Sequence, residues 1–185
     1  MIRSELTNLR AVERSDAGSL HFWFNDPELM RFWGAPDSTI SHAEIQRRIE
    51  EWIHEEGLLG RPACLIAETL DRELIGVVIL SHYEPMTSAT ELSMMVGEVD
   101  RWGEGFGGDI LTAIVETGFA QWRLHRISLR VEAFNERAIR LYERCGFRRD
   151  GTLRDASYFD GEFRDQYIYS LLSTDRTMDH EAIQT

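Results

Sequence analysis

The sequence predicts an α+β fold in which helices flank a central, mostly antiparallel mixed sheet. Three observations carry that prediction. Two β-rich runs, "ACLIAE" and "ELIGVVILSHY", flank a turn-like "TLDR", which is the pattern of an antiparallel hairpin. The glycine-rich stretch "GEGFGG" opens directly into an apolar helical stripe. Beyond it, one more strand and one more helix precede a closing pair of strands.

Taken in order, "LTNLRAV" (Leu6–Val12) reads as a first strand. "SDAGSLHFWFND" is expected to form a short helix, with Ser15 available as its N-cap. The following loop, "MRFWGAPDST", exposes Phe32 and Trp33 with no purpose assigned by the pattern, or uses them as anchors of the loop to the core. "SHAE" (Ser41–Glu44) is a capping-box pattern, and Ile45, Ile49, Trp52 and Ile53 then repeat at helical spacing. The hairpin comes next, then a third strand run, "ATELSMMVG" (Ala89–Gly97). After the glycines, Ile110, Leu111, Ile114, Val115, Phe119 and Trp122 mark one helix face set against a sheet. "RISLRVEA" alternates as a strand. "NERAIRLYERCGF" follows as a helix, with Asn135 as N-cap and Gly146 as a left-handed stop. The last two strands turn at Asp160-Gly161. We expect one domain over residues 1–172 and a polar tail over 173–185.

The 185 residues suit a single domain, and 43% hydrophobic with 28% charged residues is the composition of a soluble globule,. No run approaches the ~20 apolar residues of a membrane span. "MIRSELTNLR" has no apolar leader core, so a cytoplasmic protein is expected. A net charge of −12 argues against nucleic acid as the main partner, since phosphate binding needs clustered Lys and Arg. It suits a cationic acceptor, or simply a solvated acidic surface. Cys64 and Cys145 sit in apolar patterns and read as small buried thiols. The scattered histidines show no metal-binding spacing, so no metal is expected.

The string Gly103-x-Gly105-x-x-Gly108 matches a dinucleotide fingerprint in letters only. An apolar strand should run straight into the first glycine, but here the apolar run ends at Val96. A phosphate loop fails too, because no Gly-Lys-Ser/Thr occurs. The physics outlives both motifs. A glycine-rich turn at a helix start presents free N–H groups at the positive end of the helix dipole, a site for phosphate or pyrophosphate. A tight strand-to-helix connection is the alternative, yet four glycines exceed what that needs.

"MMVGEVDRWGEGFGGDIL" followed by "VEAFNERAIRLYERCGF" resembles the GNAT (Gcn5-related) N-acetyltransferases, within them the branch of ribosomal-protein N-terminal and spermidine acetyltransferases. The resemblance runs from about Leu6 to Leu172 and includes the ending "GTLRDASYFDGEFRDQYIYSLL". It implies the GNAT fold and acetyl-CoA as cosubstrate. The family's Gln/Arg-x-x-Gly-x-Gly/Ala loop falls on Trp102, Gly103, Glu104, Gly105, Phe106 and Gly107, with Gly108 next, and its amides would hold the pyrophosphate. Trp102 stands where Gln or Arg is usual. Met95, Val96 and Gly97 would pair with the pantetheine arm as an added strand does. Asn135 matches a helix-start Asn that helps place the cofactor, and Tyr142 a tyrosine near the thioester sulfur. The branch also implies an amine acceptor, a protein N-terminus or a small molecule, and commonly a homodimer.

Acetyl transfer to an amine needs a proton acceptor, because an alkylamine with pKa near ~10 attacks only when neutral. It needs a donor for the oxyanion, for which a strand N–H at or near Val96 serves. The departing thiolate needs a proton, which Tyr142 is placed to give. Glu91 is the candidate base; Glu132, Glu84, His82 and Asp26 are alternatives, as is a water chain. The Phe32–Ser38 and Glu84–Ala89 loops are expected to shape the acceptor cleft. Two other functions stay open at this point: a non-catalytic acyl-CoA-binding module, and a nicotinamide oxidoreductase, which the hairpin signals oppose.

Overall fold

A computed structural model describes residues 1–33, 39–54 and 62–175. Its strands are β1 (Ile2–Arg3), β2 (Thr7–Ala11), β3 (Cys64–Thr69), β4 (Leu74–Glu84), β5 (Ala89–Val96), β6 (Arg126–Glu132), β7 (Arg148–Phe159) and β8 (Glu162–Leu172). Its helices are α1 (Ala17–Trp23), α2 (Pro27–Met30), α3 (His42–His54), α4 (Phe106–Ala120) and α5 (Glu136–Arg144). The strands form one sheet in the order β1-β2-β3-β4-β5-β6-β8-β7. Every neighbouring pair is antiparallel except β5 and β6. The expected α+β class and mixed sheet are both present.

Two apolar clusters form the core. One packs Phe106, Ile110, Leu111 and Ile114 of α4, with Tyr142 of α5, on Leu92, Ile127, Leu129 and Val131. The other packs Leu20, Trp23, Ile45 and Ile49 of α1 and α3 on Cys64, Ile66, Val77 and Met95. Because strand side chains alternate between faces, Ser128, Arg130 and Glu132 of β6 lie on the face opposite α5. Glu91 and Ser93 share the α1–α3 face with Met95.

The parallel pair is short. β5 and β6 are joined only at Ala89–Glu91 and Arg126–Ser128. Past Glu91 the two strands run on unpaired with each other, to Val96 and Glu132. That gap in the sheet is the feature that matters for function.

Several local expectations need correction. Ser15 caps nothing; it lies in a 3₁₀ turn, Arg14–Asp16, ahead of α1. Asp16 does the local work: its carboxylate accepts from the Glu13 N–H at 2.8 Å and from two Arg10 guanidinium nitrogens at 2.8 and 2.7 Å. The expected helix appears as α1, and a second short one follows it unannounced, since Asp26 accepts from the N–H groups of Glu28 and Leu29 and starts α2 with Pro27 in its first turn,. Ser41 accepts from the Glu44 N–H at 3.1 Å, but the Glu44 carboxylate binds Arg47 and Arg48. Ile53 is exposed rather than inward. Cys64 is buried, with its thiol pKa raised by burial, whereas Cys145 is only partly so. The Asp160-Gly161 turn has φ of +53° and +78°, the two positive values a type I′ turn requires. Residues 34–38 of the Phe32 loop and 176–185 of the tail lie outside the described residues.

Candidate active site

A cavity of about 450 Å³ fills the gap between β5 and β6. Its far end is the glycine turn. Gly103 and Gly105 have φ of +92° and +96°, values that cost side-chain-bearing residues about 1–2 kcal/mol. Gly105 stands at the N-cap of α4 with no side chain to occupy the first-turn amides. Most helices fill that position with Ser, Thr, Asp or Asn. Asp109 cannot fill it, because its carboxylate accepts from Ser4 and Thr7 hydroxyls (2.8 and 2.6 Å) and from the Glu5 and Leu6 N–H groups. The helix start therefore faces the cavity with open N–H groups and its positive dipole end.

Arginines surround that end. Arg101, Arg137 and Arg144 line the cavity in a chain whose net charge is −12. The Arg137 guanidinium lies 3.5 Å from the centroid of the Trp102 ring, and burial there lowers its pKa from the usual value. The Trp102 indole donates to the Val96 carbonyl at 2.9 Å.

Met95, Val96 and Gly97, expected together at the pantetheine arm, are separated by the hydrogen-bond pattern. The Gly97 N–H donates to the Ile75 carbonyl of β4 at 2.9 Å. By strand alternation, Met95 turns its main-chain groups to β4 as well, and Val96, Met94 and Leu92 turn theirs to the gap. Gly97 does not line the cavity. A Cβ there would sit 2.1 Å from the Trp23 ring, so the glycine is required for packing. Glu104 also lies outside the cavity and pairs with Arg101 at 2.8 Å. Trp102, Gly103, Gly105, Phe106, Gly107 and Gly108 all line it. Met94, which the sequence reading missed, has the exposed strand edge that Met95 was expected to supply. Strand parity along β5 narrows the choice to alternate residues, but which set faces the gap depends on the pairing with β4.

Tyr142 is buried on the α5 wall of the cavity. Burial pushes its phenol up to about 12, so it holds its proton throughout the neutral range. Among the described residues no hydrogen bond engages its hydroxyl. Asn135 lines the cavity as well, and its side chain caps α5 by accepting from the Ala138 N–H at 3.2 Å.

Glu91, Ser93, Arg130, Glu132 and Gln166 also line the cavity, as do Leu29, Phe32 and Trp33. The Glu91 carboxylate is 3.5 Å from the Arg130 guanidinium and 3.8 Å from the His82 ring. Phe32 packs on Trp102 and Phe134, and Trp33 edges onto Phe24, so both rings anchor the turn while lining the cavity. The Glu84–Ala89 loop, His82, Glu84 and Asp26 do not line it. Among the described residues no cluster of His, Cys, Asp or Glu could hold a metal. No helix there is long and apolar enough to cross a membrane.

A helix start with open N–H groups, a split sheet edge and a buried phenol thus share one cavity, the arrangement that the resemblance to the GNAT acetyltransferases implies. A family model for the acetyltransferase (GNAT) domain matches residues 7–148, and the chain belongs to that family. It is an N-acetyltransferase, of a family that uses acetyl-CoA. Among relatives, the spermidine N(1)-acetyltransferase of Vibrio cholerae is 27% identical over 164 residues, 89% of this chain and 91% of that protein. The uncharacterized N-acetyltransferase p20 of Bacillus licheniformis is 28% identical over 170 residues, 91% and 94% of the two chains. The crystal structure of Vibrio cholerae spermidine N-acetyltransferase with CoA and spermine superposes with a TM-score of 0.83 at 26% identity, covering 93% of this chain and 98% of the other. These findings support the spermidine side of the branch named above.

Proposed function

We propose that the protein moves the acetyl group of acetyl-CoA to a primary amine by direct attack of the amine on the thioester. The observation that carries this reading is the uncapped α4 start opening onto the same cavity as the Tyr142 phenol.

Acetyl-CoA supplies a carbonyl activated by its thioester link. The amides of Gly105 to Gly108 hold its pyrophosphate, with Arg101, Arg137 and Arg144 adding charge. Gly107 lies close to Leu141, where even a Cβ would come within 3.3 Å, so bare backbone suits the close fit. The open main-chain groups of Met94 pair with the pantetheine arm, and the Val96 N–H, whose own carbonyl accepts from Trp102, serves the acetyl carbonyl oxygen as it gains charge. Asn135 keeps the start of α5 in place beside them.

The amine enters from the α1–α3 face, through the gap in the sheet. Its nitrogen bonds to the acetyl carbon, its proton passes to Glu91 directly or through water, and the carbon–sulfur bond breaks. Tyr142, whose phenol stays protonated at neutral pH, donates a hydrogen bond and then its proton to the departing sulfur, and the proton taken by Glu91 is returned to the phenol through water. The acceptor is a protein N-terminus or a small polyamine-like amine. The spermidine-acetylating relatives favour the latter. A cytoplasmic homodimer completes the reading.

Thiol release from acetyl-CoA, measured across an amine panel, tests it. Amine-dependent release supports acetyl transfer. Tight acetyl-CoA binding with no release for any amine would leave a non-catalytic binding module.

A further inference from the structure

Glu132 is buried, 2% exposed, yet it lines the cavity. One carboxylate oxygen accepts from the Ser157 hydroxyl at 2.6 Å and the other from the Gln166 amide at 2.7 Å. Both donors are neutral. Among the described residues no Lys, Arg or His pairs with Glu132. The contrast with Glu91 is direct, since Glu91 already has Arg130 and His82 beside it.

A buried carboxylate without a counter-ion is costly. A carboxylate also has about four acceptor positions, so two are left for something in the cavity. The surrounding strands are arranged to hold this group. Glu132 and Gln166 face each other in the β6–β8 register. Between the pairs Leu153–Gln166 and Ser157–Arg164, β7 spends three residues, 154 to 156, against one of β8, Asp165. That bulge, with Asp155 at φ +50°, brings Ser157 onto Glu132, as bulges beside sites re-aim side chains.

We propose that Glu132 is the counter-ion for a second, protonated nitrogen of the acceptor, and so selects amines that carry such a nitrogen over monoamines. The inference rests on the acetyl-transfer reading and deepens it. The attacked nitrogen must be neutral, so a lasting ion pair at Glu132 has to come from another centre on the same molecule. Glu132 lies on the α1–α3 face with Glu91 and Ser93, where the acceptor enters, and across the sheet from Tyr142. It binds the acceptor and takes no part in the proton transfers.

The test compares 1,4-diaminobutane with 1-aminobutane, in wild type and in Glu132→Gln. Wild type is expected to favour the diamine. In Glu132→Gln the KM for the diamine should rise roughly 30-fold, the preference should collapse, and the KM for acetyl-CoA should stay within about twofold. The amide side chain still offers partners to Ser157 and Gln166, so thermal unfolding should stay close to wild type. A merely structural Glu132 would instead lower Tm and weaken acetyl-CoA and diamine together. An unchanged preference, or that joint loss, overturns the inference while acetyl transfer stands. Wild type that acetylates neither amine nor any in the panel overturns both.

Discussion

The indole Nε1 of Trp102 donates to the main-chain carbonyl of Val96 at 2.9 Å, tying the glycine turn to the strand that precedes it. The other side of the ring system carries Arg137. One side chain thereby fixes the spacing between the open strand edge and the anion-binding helix start. Trp102→Ala removes the bond and the stacking surface. A net loss of about 1–1.5 kcal/mol gives roughly a 5- to 13-fold rise in acetyl-CoA Kd by calorimetry. Trp102→Phe should keep the stack and lose the smaller part.

Gly105→Ala tests the turn itself. At φ +96° an alanine is strained by about 1–2 kcal/mol, and relief of that strain withdraws the amides from a shared aim. Acetyl-CoA affinity should fall at least about tenfold, with far-UV circular dichroism unchanged. Unaltered affinity would show that the turn is only a connection.

Tyr142→Phe should lower kcat by about 10²–10⁴ and leave the KM for acetyl-CoA nearly unchanged. Steady-state thiol release reads both quantities, and near-wild-type turnover would remove Tyr142 from the chemistry.

The pH dependence has a definite sign. Burial holds Tyr142 at about 12, above the unfolded phenol near 10,. A raised folded pKa gives stabilisation that is fully present below pH ~10 and lost as pH climbs from there toward 12. Activity that depends on this proton should therefore show no alkaline loss from Tyr142 between pH 8 and 10. In an ultraviolet titration, Tyr142→Phe should delete one late-ionising phenol.

Gly97→Ala separates packing from binding. The added carbon would meet the Trp23 ring at 2.1 Å, and overpacking of this kind costs about 1–3 kcal/mol. Differential scanning calorimetry should show a lower Tm. Acetyl-CoA affinity at a temperature well below that Tm should change little.

Much of this was readable from local pattern. The hairpin, the α4 stripe from Ile110 to Phe119, the Asn135 cap, the Gly146 stop and the Asp160-Gly161 turn each depend on residues close in the chain and occur where the pattern put them, whereas Trp122, expected on the same stripe, falls past the end of α4. Errors arose where a distant partner decided. Ser15 lost its cap role because Arg10 drew Asp16 into the turn. Met95 and Gly97 lost the strand edge because β4 claimed their main-chain groups. Nothing nearby in sequence announces Ser157 and Gln166 as the partners of Glu132.

What the chain determined by itself was composition, class, and an amide-rich turn before a helix, because propensity, periodicity and glycine freedom act over a few residues. The tertiary structure alone decided which strand edge stays open and, among the described residues, which cavity carboxylate has no cationic partner. Those outcomes depend on register and on the divergence of β5 from β6, and pairing between strands far apart in sequence is set by the packed whole rather than by any local stretch.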